Sequence, residues 1–340
     1  MRIRQLLQND TQTLDDLYTA VFCAAVAQSS KGEWVIGTAV SESATAHTLQ
    51  QFEWLGLVWD EGPEPEEDDA YNAPFKLSNT TADTIQQFDQ THSITHEILI
   101  GEIALPAPQT IRLPRIADSE FTISDLLDGD YLPTAVWHTL LTLGWPPAKD
   151  HERLSSYQVK QNFQLDQITT ESQALKREDF LAINQQYIAH LPADTVAEKT
   201  RPYIEEWFGP LPMVDQWQID LATIIRPQLR HFSDAPDVAG WAFADGWEYT
   251  EEAESLLEEE RCRPILVSLV AELAHIVLLD HGTAESILAG ITNRYPEEPK
   301  LNAIILSALT GQGDQLPLSA VMAILGKAQC LQRLGDALNM

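Results

Sequence analysis

A chain of 340 residues, 44% apolar and 21% charged, is long enough for two or three domains, each with its own core. Its 51 acids against 21 bases give a formal net charge of -30, which opposes a surface built to neutralise phosphates and favours solubility. The three cysteines, Cys23, Cys262 and Cys330, form no CxxC pair; this excludes a disulfide scaffold and a zinc ribbon and fits buried thiols in a reducing, cytoplasmic setting.

The opening MRIRQLLQND carries two arginines with no apolar core behind them, so no leader is expected, and Leu17 to Ala27 is too short to span a bilayer and predicts a buried helix. GPEPEEDDAYNAP, residues 62–74, clusters acids and prolines and predicts an exposed linker. Glu97 to Ile103 and Gln109 to Leu113 are β-prone. From Phe121 the pattern turns helical. Thr122 and Asp125 stand in capping-box spacing before a short helix that Gly129 can end, and Pro133 suits the first turn of LPTAVWHTLLTLGW, which Gly144 can end. Further helices are expected at 178–188, 195–207, 215–231, 250–260, 263–280, 283–293, 300–309 and 317–338, with Gly326 interrupting the last. No repeat of fixed period is present.

Five stretches in order carry a resemblance: FEWLGLVWDEGP (Phe52 to Pro63), SITHEILIGE (Ser93 to Glu102), GDYLPTAVWHTLLTLGW (Gly129 to Trp145), LKREDFLAINQQYI (Leu175 to Ile188) and Leu301 to Leu338. Together they resemble the bacterial-type glutamyl-tRNA synthetase family, a class I aminoacyl-tRNA synthetase. The resemblance implies an α/β plus all-α chain. A truncated Rossmann-like domain (1–120) is followed by a stem-contact-like domain (121–194) and two helical anticodon-binding-like domains (195–262 and 263–340). The chain is shorter than a full member, and the expected shortfall falls between Pro63 and Phe121, where the acceptor-stem insertion and part of the sheet would be.

The family's chemistry depends on donors aimed at the charge that builds on the α-phosphate as pyrophosphate leaves. An HIGH-type turn should precede the helix near Leu17, but the residues there are Thr13, Leu14, Asp15 and Asp16. The imidazole and both glycines are gone. The two carboxylates either oppose a triphosphate or serve as ordinary first-turn acids favoured by the helix dipole. A KMSKS-type loop should lie between Arg115 and Tyr131, where IADSEFTISDLLDGDY has no lysine or arginine. The RIEDTD-type motif reads GTAVSE at Gly37 to Glu42, and of RFAPSPTG only Arg4 matches. Arg4 is therefore either a vestigial substrate-carboxylate contact, as the resemblance implies, or a surface residue on an edge strand. Loss of one such donor costs about 2.7–4 kcal/mol, so loss of all predicts no useful rate.

No catalytic residue, cofactor or metal is assigned. His92 and His96 have i, i+4 spacing, but the resemblance puts His96 on a strand, where the two would stand about 13 Å apart. There is no P-loop, GxGxxG or GxSxG. Glu251 to Glu260 reads as a solvated helical face. The aromatics Trp207, Phe208, Trp217, Phe232, Trp241, Phe243 and Trp247 serve either core packing or base stacking. Under a tRNA-binding reading, Arg226, Arg230, Arg261 and Arg263 would form a small phosphate patch, although residues 201–340 hold 21 acids against 9 bases. The leading expectation is a non-catalytic relative that binds a protein partner, as a regulatory or assembly subunit. The alternatives are a tRNA-binding protein that does not charge tRNA and a residual glutamate–tRNA ligase.

Overall fold

A computed structural model describes residues 1–7, 13–38, 41–63, 82–100, 109–119, 121–169, 171–243, 248–313 and 316–340. Most of the expected linker at 62–74, the expected strand end at 101–103 and Trp247 lie outside the described residues. The chain divides into two compact units, Met1–Tyr187 and Ile188–Met340.

In the first unit, β1 (Arg2–Leu7), α1 (Leu14–Ser30) and β2 (Glu33–Thr38) form a β–α–β start, followed by α2 (Glu42–Trp54), α3 (Ala82–His92), β3 (His96–Ile100) and β4 (Thr110–Leu113). The sheet is parallel in the order β2-β1-β3-β4, so β1 is an interior strand. Alternation along β1 decides what each face holds. Ile3 and Leu7 join Trp34, Ile36 and Ile98 under α1, whereas Leu6 packs with Val35, Phe88 and Ile94 on the α3 side. Helix α1 is apolar nearly all round because it is covered on every side, by β1, β2, β3 and two later helices.

Those later elements are β5 (Ile116–Ser119), α4 (Ile123–Asp128), α5 (Pro133–Gly144), α6 (Ser156–Asn162), β6 (Gln173–Leu175) and α7 (Arg177–Ala189). Strands β5 and β6 pair in parallel as a separate ribbon. The Thr122–Asp125 capping box and the Pro133 helix start stand as expected. Gly144 does more than end α5. A Cβ there would meet the Tyr18 hydroxyl and lie 2.6 Å from Phe22 Cζ, so the glycine lets α5 lie directly on α1.

The second unit is helical: α8 (Ala193–Phe208), α9 (Gln216–Ile225), α10 (Ala235–Ala239), α11 (Glu251–Leu257), α12 (Cys262–His275), α13 (His281–Arg294), α14 (Leu301–Thr310) and α15 (Leu318–Leu338). Three helices are shorter than expected. Helix α9 stops at Ile225 because Pro227 has no N–H to continue it. Helix α11 stops at Leu257, and α12 stops at His275 although the apolar run continues to Leu279. Lys327 Nζ accounts for the last, donating to Ala274 O (3.1 Å) and Ile276 O (2.7 Å) and so capping carbonyls the helix leaves open. Gly326 breaks α15 as expected, with φ 68° and ψ 170°, and the Trp217 indole N–H donates to the Ile324 carbonyl beside the break (3.0 Å). All three cysteines are free and buried, and burial pushes the Cys330 thiol up to about 12.

Candidate functional site: the mouth of the parallel sheet

Open parallel sheets bind ligands beyond the carboxyl ends of the strands, where the chain order reverses. Here the chain leaves β1 for β2 on one side and returns to β3 on the other, so that point lies at the end of β1 beside the N-terminus of α1. A cavity of about 300 Å³ opens there, lined by Thr13, Leu14, Asp15, Ile116, Ser119, Phe121, Thr122 and Ile123. No lysine, arginine or histidine is among these lining residues.

Thr13 and Thr122 are the N-caps of α1 and α4, so two helix N-termini, each with a partial positive charge, open onto one cavity. Each is neutralised by an aspartate three residues on. The Asp16 carboxylate accepts from Thr13 N (3.0 Å) and Thr13 Oγ1 (2.9 Å). Asp125 accepts from Thr122 N and Oγ1, both at 2.7 Å. Asp15 Oδ1 accepts from the Ile116 N–H at 3.3 Å. The two capping carboxyls differ. Burial pushes Asp16 above its ordinary value against the pull of the Thr13 hydrogen bonds, while the exposed Asp125 is held low by its hydrogen bonds from Thr122. Asp15 and Asp16 thus occupy the first turn of α1, as the helix-dipole reading expects.

The edge-strand reading of Arg4 is corrected. Arg4 lies in the interior strand and is 1% exposed, because the even residues of β1 face α3 and Arg4 pairs in register with Glu97 on β3. Its guanidinium bonds Asp89 Oδ1 at 2.6 Å through Nη1 and Glu97 Oε1 through Nη2. Burial raises both carboxyls above their ordinary values, and the Arg4 charge opposes the rise. Two carboxylates share one guanidinium, and Asp89 Oδ2, Glu97 Oε2 and Arg4 Nε have no hydrogen-bond partner among the described residues. Beside them Arg2 joins Glu33 (2.7 Å), Glu61 and the His92 carbonyl. His92 ends α3, stacked on Phe88 with Nδ1 3.0 Å from Phe88 O, and His96 starts β3 as expected. Sequence reasoning missed Asp89 and Glu97; their only signal was their charge.

Of the four candidate arginines of the second unit, three turn their guanidinium groups to separate acceptors within the protein. Arg226 donates to Leu191 O (2.7 Å) and Arg263 to Leu338 O (2.9 Å). Arg261 is held between Glu259 (2.6 Å) and Glu298 (2.9 Å), which raises its pKa, chiefly through the Glu259 hydrogen bond. The Arg230 backbone N–H donates to Asp234 (2.9 Å). Phe232 and Trp241 are buried, Phe208 stacks on Phe243 and Trp217 meets the same ring edge-on, all three half-buried, and Trp207 is exposed.

An α/β unit with a parallel sheet followed by a helical unit is similar in fold to solved glutamate tRNA ligases, and the anticodon binding domain family matches residues 195–338. The chain is related to the glutamyl-tRNA synthetase family. It is 29% identical over 228 residues to a glutamate–tRNA ligase of Geobacillus stearothermophilus, covering 64% of this chain and 45% of that protein. It is 28% identical over 215 residues to the Bacillus subtilis glutamate–tRNA ligase, covering 60% and 43%. The chain thus spans about half the length of the curated relatives it matches. In fold it matches the crystal structure of a glutamate tRNA ligase from Elizabethkingia meningosepticum in complex with its amino acid. The TM-score is 0.75 at 12% identity, over 100% of this chain and 99% of that one. Among the described residues no helix is long and apolar enough to cross a membrane, and no group of three or more His, Cys, Asp or Glu is placed to hold a metal ion.

Proposed function

We propose that this chain is a non-catalytic glutamyl-tRNA synthetase relative that acts by binding a protein partner, as a regulatory or assembly subunit. The observation that supports it is the cavity at the mouth of the sheet. A triphosphate needs cations or free N–H donors there. Among the described residues the cavity lining holds Asp15 and no cation, and at each helix N-terminus facing it the cap residue's N–H already donates to an aspartate. In the same reading Arg4 is structural, its guanidinium engaged by two buried carboxylates. The four-part division at 120/121, 194/195 and 262/263 belongs to this proposal. Glutamate-dependent ATP–pyrophosphate exchange tests it: the purified chain gives no exchange above the enzyme-free background, and clear turnover overturns the proposal in favour of a residual ligase.

A second reading, tRNA binding without charging, is favoured by the anticodon-binding match over 195–338. Against it stand the internal engagement of Arg226, Arg261 and Arg263 and the acid excess of this half. Filter binding of tRNA at low and high salt separates the two readings, since phosphate contacts weaken steeply with salt.

A further inference from the structure

We propose that the turn joining α8 to α9 is a docking surface for a cationic polypeptide segment with apolar side chains, and that Trp207 is its anchor. The proposal rests on the partner-binding reading above and names the surface that serves it. Trp207, in the last turn of α8, is 71% exposed, and Met213, in the turn, is 84% exposed. Phe232 and Trp241 are in the core and Phe208 and Trp217 pack on Phe243, so an indole left in water at a helix end marks an anchor position.

The turn is fixed before anything binds. Glu205 Oε1 accepts from Arg201 Nε (2.7 Å) and from the Leu211 N–H (3.1 Å), and Arg201 Nη2 donates to Leu211 O (3.0 Å). Gln218 Nε2 donates to Pro212 O (3.2 Å), Asp215 caps α9 through Gln218 N (3.0 Å), and Pro210 and Pro212 restrict φ. A surface ordered in advance loses little entropy when a partner docks.

Charge decides the partner. Pro202 to Ile225 holds Glu205, Glu206, Asp215 and Asp220 and no lysine, arginine or histidine, and Arg201 at its border is already paired with Glu205. Phosphates of a nucleic acid stacked on Trp207 would meet Glu206, Asp215 and Asp220 with no cation in this segment to balance them. A second copy would bring like charge against like. An arginine- or lysine-bearing segment satisfies both features, its apolar side chains on Met213 and a cation over the indole.

The test uses the full chain and two labelled synthetic peptides of equal length and equal arginine count, one with leucines and one with serines in their place, read by fluorescence anisotropy. The leucine peptide binds, Trp207→Ala weakens it roughly 30-fold as for a hot-spot residue, Trp207→Phe retains most of the affinity, and the serine peptide is weak and indifferent to position 207. Unchanged binding in Trp207→Ala, equal affinity for the two peptides, no binding of either, or Trp207-dependent binding of oligouridine instead overturns the proposal. Because Trp207 is exposed, the variants keep the wild-type circular dichroism spectrum. A polypeptide that copurifies equally with wild type and Trp207→Ala overturns this surface and leaves the partner-binding reading standing; ATP–pyrophosphate exchange overturns that reading itself.

Discussion

Replacing Arg4 with Met separates a structural arginine from a substrate contact. Met keeps much of the length of the side chain and removes the charge, leaving Asp89 and Glu97, both under a tenth exposed, without their shared cation. A contacting ion pair at an effective dielectric near 20 is worth roughly 4 kcal/mol, and removing one member of a buried pair costs about 3–5 kcal/mol. Urea unfolding followed by circular dichroism should therefore show Arg4→Met less stable by about 3–5 kcal/mol. The partner experiment is Glu97→Gln, which leaves one carboxylate to one guanidinium. Both carboxyls are raised by burial from ordinary values of 3.8 and 4.5, so their contribution to stability is full below about pH 4 and falls as pH rises through their folded values. Glu97→Gln removes part of that fall. It should be at least as stable as wild type at neutral pH, with a flatter slope above pH 4. A loss under about 1 kcal/mol in Arg4→Met, the range of an exposed ion pair, would refute the buried-network account and restore a surface or ligand role for Arg4.

Three further outcomes are expected. Gly144→Ala should destabilise by about 1–3 kcal/mol in thermal or urea unfolding, since the new methyl meets Tyr18 and Phe22 across the α1–α5 contact. Arg333, buried in α15, donates to Trp241 O and Leu309 O, both at 2.6 Å, and Arg333→Met should lose about 2–5 kcal/mol in the same assay by stranding both carbonyls. His138 is buried with Nε2 2.9 Å from Ala148 O, and burial depresses its pKa below 6.5. The unfolded chain thus takes up the proton first, so stability should fall as pH drops below about 6.5, with a smaller slope in His138→Gln, measured as urea midpoints across that range.

Local chemistry made much of the fold legible. Pro133 at a helix start, the Thr122–Asp125 box and the break at Gly326 act within a few residues and are found where expected. Signals that reach across the sequence were not. The apolar run past His275 reads as more helix until Lys327, 53 residues from Ala274, is seen to cap the carbonyls. Arg4 reads as a surface residue until Asp89, 85 residues on, is seen beside it. Gly144 reads as a stop signal because its packing role depends on Tyr18 and Phe22 from another helix. At the cavity the sequence showed the Thr122–Asp125 box, but not that Thr13 and Asp16 form a second one opening onto the same space.

The capping boxes at this cavity bear on how the proposed loss of chemistry is built in. Deleting the basic loop alone would leave two helix N-termini facing the cavity, and such termini attract anions unaided. Here each carries a capping box, so an incoming phosphate would meet a carboxylate that already accepts two hydrogen bonds at one end of α1 or α4. Capping boxes contribute about 0.5–2 kcal/mol apiece to the helices that hold them, so the same residues that oppose the nucleotide also hold α1 and α4 in place. The expected result is a scaffold made firmer at the position where an active site would have to stay open, which suits a chain whose work is done on its outer surface.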